Sequence, residues 1–284
     1  MPRASQLKNC PRCESSVILG KYKCPVCGIW LHNKPSNDNK RTVGLEPDGT
    51  ILLSNVTSAS ANRIHTNLCG PIWGISKLEN GFDLTGVVNT SVTLIGGDRG
   101  AGKSTLMNQL LDEISISLGR ESLYIACEEA REEIKLRADR LKLQNSHLVR
   151  IVEALSGASN IADLISIRKP CAVALDSLRG MVGDDKNDSI EVCKRCKVLA
   201  VENHCPIFIL QHVTKDEQIA GSNDDQHEVD TVMTFFPEHG DVRLLEVQKN
   251  RFGRAFIGQR FLMTPTGLRI SGGLVMPGED EDDD

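Results

Sequence analysis

The chain has 284 residues, 40% hydrophobic and only 4% aromatic, a length that fits one aliphatic α/β core plus a small satellite module. The formal charge is −5, but Glu279 to Asp284 are six acids in a row, which leaves about +1 for the rest, and residues 1–41 hold eight Lys or Arg against two acids. No stretch approaches 18 uninterrupted apolar residues and the N-terminus lacks a signal-peptide core, so a soluble, cytoplasmic protein without a membrane is expected, basic at the front and acidic at the tail.

Residues 1–32 carry Cys10 and Cys13, then Cys24 and Cys27, two C-x2-C pairs separated by ten residues with a proline after the first cysteine of each. In a reducing compartment that spacing points to metal rather than disulfides. Four thiolates placed tetrahedrally suit a structural zinc ion with no open coordination position, and metal binding must supply the folding free energy of so small a module. The other six cysteines, including Cys193 and Cys196, have no partner pair and read as ordinary thiols. Residues 33–62 are rich in Asn, Ser, Gly and Pro and read as a linker.

Residues 63–276 alternate short apolar runs with helical patterns. The runs are 92–95, 123–125, 149–152, 172–175, 207–210, 231–235 and 244–247, with helices expected over 103–118, 129–143 and 188–203. Alternation of this kind predicts crossover connections and a mainly parallel sheet, an α/β fold. From 229 onward strands follow one another (229–236, 242–249, 255–263, 267–271), so that end of the sheet is expected to be antiparallel or mixed. The tail 277–284 is too charged to fold.

Gly97, Asp98, Arg99, Gly100, Ala101, Gly102, Lys103 and Ser104, followed by Thr105, fit G-x4-G-K-[ST] between a strand and a helix, the context of a P-loop that binds ATP. Backbone N–H groups and the helix N-terminus cradle the phosphates, Lys103 reaches the β- and γ-phosphates, and the Ser104 hydroxyl ligates Mg²⁺. The apolar run from Cys171 ends in Asp176, the expected second magnesium element, acting mainly through water. The run from Leu123 ends in Glu128 and Glu129; Glu128 is the expected catalytic carboxylate and Glu129 its rival. Gln211 and His212 end another strand, where they could sense the γ-phosphate.

Taken together these segments resemble the bacterial RadA (Sms) family of DNA-repair and recombination ATPases, RecA-like in fold. The resemblance rests on Cys24 to Trp30 in the ribbon, on Glu128, Glu129 and the run Ile134 to Leu141, and on His212 to Lys215 with Ile219 to Gly221 and Val229 to Val232. It rests most on Lys249, Asn250, Arg251, Phe252 and Gly253, the family's signature pentapeptide. It implies a hexameric ring with ATP at subunit interfaces, in which Lys249 and Arg251 reach the neighbour's nucleotide as cationic fingers. Its partners would be DNA, single-stranded or branched, and a recombinase or replication protein. Candidate DNA contacts are Arg179, Lys186 and Lys215 in central loops and Lys8, Arg12, Lys21 and Lys23 in the ribbon. The family continues into a Lon-protease-like domain where this sequence stops, and its basic stretch after the sensor strand is replaced by Ser222 to Glu228. The expected function is an ATP-dependent DNA motor, a helicase or branch-migration ATPase. The alternatives are a phage-type replicative helicase and, from another class, a nucleotide-gated adaptor that does not translocate.

Overall fold

The structure, a computed structural model, describes residues 7–9, 16–18, 63–68, 86–153, 158–182, 186–212 and 223–275. Strands β1 (Leu7–Asn9) and β2 (Ser16–Ile18) pair antiparallel, Leu7 opposite Ile18, and β3 (Arg63–Ile64) pairs antiparallel with β4 (Val87–Val88). Then β5 (Val92–Gly96) leads into α1 (Lys103–Leu118), β6 (Ser122–Ala126) into α2 (Arg131–Arg140), and β7 (Val149–Glu153) into α3 (Ala158–Arg168). Next, β8 (Val173–Asp176) leads into α4 (Leu178–Val182) and α5 (Lys186–Asn203), and β9 (Ile207–Leu210) precedes α6 (Asn223–Glu228). Strands β10 (Thr231–Pro237), β11 (Val242–Asn250), β12 (Ile257–Thr264) and β13 (Gly267–Val275) follow without a helix between them.

Nine strands form one sheet in the order β7-β6-β8-β9-β5-β10-β11-β12-β13. Neighbours from β7 to β10 run parallel, because each return passes through a helical crossover. From β10 to β13 each strand turns back on the last, and the pairing is antiparallel. Of the two expectations for this end, antiparallel or mixed, the pairing is antiparallel.

Side-chain alternation splits the core in two. Tyr124, Ala174 and Phe208 join Leu106, Leu110 and Ile114 of α1 on one face, while Leu123, Ile125, Leu175 and Ile209 join residues of α3 and α5, among them Ile165, Val192 and Leu199, on the other. Phe235 and Phe261 meet edge to face at 6.0 Å, closing the first cluster over the antiparallel strands. Helix α1 starts on Gly102 and ends on Gly119 in a left-handed conformation, whose N–H caps Ile116 O. Helix α2 carries Glu132 and Glu133 in its first turn and Arg137 and Arg140 in its last, matching the helix dipole at both ends.

Helices α4 and α6 run for only five and six residues, too short to show a periodicity in sequence. Arg179 and Lys186 accordingly lie on α4 and α5 rather than in loops. Among the described residues no helix is long and apolar enough to cross a membrane. Cys10, Cys13, Cys24 and Cys27, the linker 33–62, Lys215 and the tail 277–284 lie outside the described residues.

Candidate nucleotide site

The P-loop leaves the C-terminal end of β5, the edge where parallel strands place their ligands. Gly97 has φ 152° and Gly102 φ 110°, and a Cβ on them would fall 2.1 Å from the Phe235 carbonyl oxygen and 2.7 Å from Met263 Cε. The loop thus lies flush on β10 and β12, an approach only glycine allows. Lys103 is buried, and its ammonium donates to the carbonyls of Gly97 at 2.5 Å and Asp98 at 2.8 Å. Burial holds its pKa below the ordinary lysine value, against the opposing pull of Asp176, Asp98 and Glu128. Asp98, Arg99 and Gly100 are exposed around the cradle, whereas Ala101 and Thr105 pack inward.

Asp176 ends β8, and its Oδ2 accepts the Ser104 hydroxyl at 2.7 Å. The same oxygen accepts the Tyr124 hydroxyl from β6. Burial raises the Asp176 pKa, and the two donors counteract it. One hydroxyl and one carboxylate beside a phosphate cradle are the hard oxygen donors Mg²⁺ takes, the remaining positions going to phosphate and water. The donor set therefore fits a magnesium nucleotide.

The two acids after β6 have different partners. Glu128 accepts the Ser177 hydroxyl and lies 3.2 Å from His212 Nε2. Burial opposes its ionisation, but the hydrogen bonds from Ser177 and His212 outweigh that and hold its pKa below the usual carboxylate range. Glu129 instead pairs with the Arg137 guanidinium. Gly180 of α4 lies so near the end of β6 that a Cβ would meet Cys127 Cβ and Glu128 Cγ, each at 2.8 Å. Gln211 donates its backbone N–H to Ile95 O at 3.0 Å, fixing the end of β9 beside β5. Lys103, Ser104, Asp176, Glu128 and His212 are thus brought together by four parallel strands whose order in the sheet, β6-β8-β9-β5, differs from their order in the chain. Tyr124, Ser177 and Arg137 were not singled out in sequence; a lone tyrosine in an aliphatic strand and a hydroxyl directly after Asp176 were the available signals.

Lys249 and Arg251 lie elsewhere. In register, Lys249 faces Val232, which faces Leu94, and the Arg251 N–H reaches Asp230 O, whose own N–H reaches Val92 O. This is the start of β5, the sheet edge opposite to the one the P-loop leaves. The Lys249 ammonium donates to the carbonyls of Gln226 (2.6 Å), His227 (3.2 Å) and Val229 (2.9 Å), capping α6, and burial holds its pKa down. The half-exposed Arg251 lies 3.5 Å from the buried Asp230 carboxylate, which also takes Lys197 and the Val92 N–H. Arg63 adds a hydrogen bond to Phe252 O at 2.7 Å. Cys193 and Cys196 are buried in the core, and burial pushes the Cys196 thiol up to about 12. Among the described residues no group of three or more His, Cys, Asp or Glu could hold a metal ion.

A sheet of this order, with a P-loop leaving β5 and acids following β6 and closing β8, is the RecA-like P-loop fold. Residues 84–218 match the family described as an AAA domain. The fold is also that of a KaiC-like protein from Pyrococcus horikoshii, with a TM-score of 0.55 at 14% identity over 66% of this chain and 92% of that one. Within this class the resemblance to the RadA family holds along nearly the whole chain. It is 32% identical to the DNA repair protein RadA of Listeria monocytogenes and 34% identical to that of Bacillus subtilis, each over 91% of this chain. The chain spans 57 and 58% of the length of these two relatives.

Proposed function

We propose that this chain is an ATP-dependent DNA motor, a helicase or branch-migration ATPase working in recombination, repair or replication in the cytoplasm as a homo-oligomeric, hexameric ring. The observation that carries the reading is the Glu128 carboxylate, hydrogen-bonded by Ser177 and His212 beside the Ser104 and Asp176 pair. The P-loop N–H groups and Lys103 take the phosphates, and Ser104 and Asp176 hold magnesium, which supplies charge neutralisation on the β- and γ-phosphates. Glu128 orients the attacking water and accepts its proton. Glu129 is a poorer base because its charge is already matched by Arg137. His212, touching Glu128, couples the state of that carboxylate to the sensor strand.

The DNA reading is supported by the likeness to relatives named DNA repair proteins. In it, Arg179, Lys186 and Lys215 contact the DNA, and Lys8, Arg12, Lys21 and Lys23 add contacts from the ribbon. That ribbon holds zinc on Cys10, Cys13, Cys24 and Cys27. Lys249 and Arg251, at the sheet edge away from their own P-loop, are placed to serve a neighbour in a head-to-tail ring.

The test mixes two inactive variants, Lys103→Ala and Arg251→Ala. Some mixed interfaces pair an intact P-loop with an intact finger, so ATP turnover should partly return. No recovery at any ratio, with subunit exchange confirmed, would refute action between subunits and favour a nucleotide-gated adaptor.

A further inference from the structure

Asp176 is the last residue of its strand, so its carboxylate must be held in place by groups from other elements. The full sequence has two tyrosines, and one of them, Tyr124, is completely buried among the aliphatic residues under α1. A phenol is kept in such surroundings where its hydroxyl finds a partner. The sheet register provides one. Across the parallel pair β6 and β8, Tyr124 faces Ala174 and Ala126 faces Asp176, so Tyr124 and Asp176 share a face. They are offset by two residues, about 6.6 Å of strand. A tyrosine side chain spans that diagonal, and a serine or threonine does not.

The hydroxyl donates to Asp176 Oδ2, the oxygen that also accepts Ser104 Oγ at 2.7 Å. One carboxylate oxygen is therefore fixed from within the sheet by Tyr124 and from the P-loop helix by Ser104. The Ser104 carbonyl is in turn bonded by Asn108 Nδ2 at 2.7 Å, which steadies the first turn of α1. Tyr124 lies beneath Asp176 in the core, so its influence on bound nucleotide passes through that carboxylate.

We propose that Tyr124 is a positioning residue of this site: its hydrogen bond aims the Asp176 carboxylate at the magnesium position beside Ser104 and sets how much magnesium the protein needs to bind ATP. The inference rests on the nucleotide-site reading above. Losing an outer partner of this kind costs about 10- to 100-fold in metal affinity.

The experiment uses the whole chain and a fluorescent ATP analogue, read by binding rather than turnover, for wild type, Tyr124→Phe, Asp176→Asn and the double variant. Phenylalanine keeps the ring and its packing, and circular dichroism confirms the fold of each protein. Wild type should bind the analogue more tightly as magnesium is added. Tyr124→Phe should raise the magnesium midpoint about tenfold. Its affinity in EDTA should stay within about twofold of wild type, and it should add less than about twofold in the Asp176→Asn background, as a shared route requires. An unchanged midpoint, an equal loss with and without magnesium, or a full shift persisting in the Asp176→Asn background would overturn the positioning role. Wild-type binding indifferent to magnesium would overturn the site reading itself, and this inference with it.

Discussion

Gly180→Ala tests how closely α4 must approach the end of β6. An added Cβ would sit 2.8 Å from both Cys127 Cβ and Glu128 Cγ and 3.3 Å from the Cys127 carbonyl carbon, whereas ordinary contact begins near 3.4 Å. Relief requires an opening of about 0.6 Å. Cys127 cannot supply it cheaply, because its N–H is bonded to Asp176 O at 2.7 Å. The movement therefore falls on α4 or on Glu128. Ser177, just before α4, donates its hydroxyl to Glu128 and accepts the Gly180 N–H at 3.2 Å, so the same shift loosens the Glu128 carboxylate, the proposed base. Alanine gains up to about 1 kcal/mol in helix propensity. Overpacking costs about 1–3 kcal/mol, so the net loss of stability is about 0–2 kcal/mol. Displacement by 1 Å can cost about 100-fold in rate, so 0.6 Å should lower kcat by about tenfold or more. ATP affinity should hold, since Gly97 and Lys103 are untouched. The assay pairs steady-state ATP turnover with analogue binding and a melting curve. Gly273→Ala is the control, because a Cβ there meets nothing within 4 Å. Full turnover in Gly180→Ala with an unchanged melting temperature would refute the account of this contact.

Lys103→Ala should abolish nucleotide binding or turnover, measured with the same analogue. Glu128→Gln should bind ATP normally yet lose about 10²- to 10⁴-fold in hydrolysis. Glu129→Gln should lose far less, and near wild-type hydrolysis by Glu128→Gln alone would shift the assignment by one residue. Metal analysis of protein purified without chelators should find one zinc per chain. Cys24→Ser should release it while the ATPase core stays folded.

The phosphate cradle was legible because its chemistry dictates residue types at fixed spacing, from Gly97 to Ser104. Asp176, Glu128 and His212 were legible as polar residues closing apolar runs, since strand ends in a parallel sheet meet at one edge. The Tyr124 to Asp176 bond was not, because it depends on β6 and β8 being neighbours, with Tyr124 opposite Ala174, although α2, β7 and α3 separate them in sequence. Gly180 was invisible for the same reason, its constraint being the distance to another element. The stretch 222–228 read as a polar replacement for a basic segment, but most of it folds as α6, whose C-terminal carbonyls hold Lys249. That tie is specified by the pairing of β10 with β11, which a polar hexapeptide does not reveal.

ATP turnover with and without single-stranded DNA, followed across a salt series, shows whether the proposed ATPase works on DNA. Each phosphate contact releases counterions, so stimulation should be strong at low salt and fall steeply as salt rises, the slope counting the cations engaged. Turnover that is slow and indifferent to DNA at every salt concentration would contradict the account.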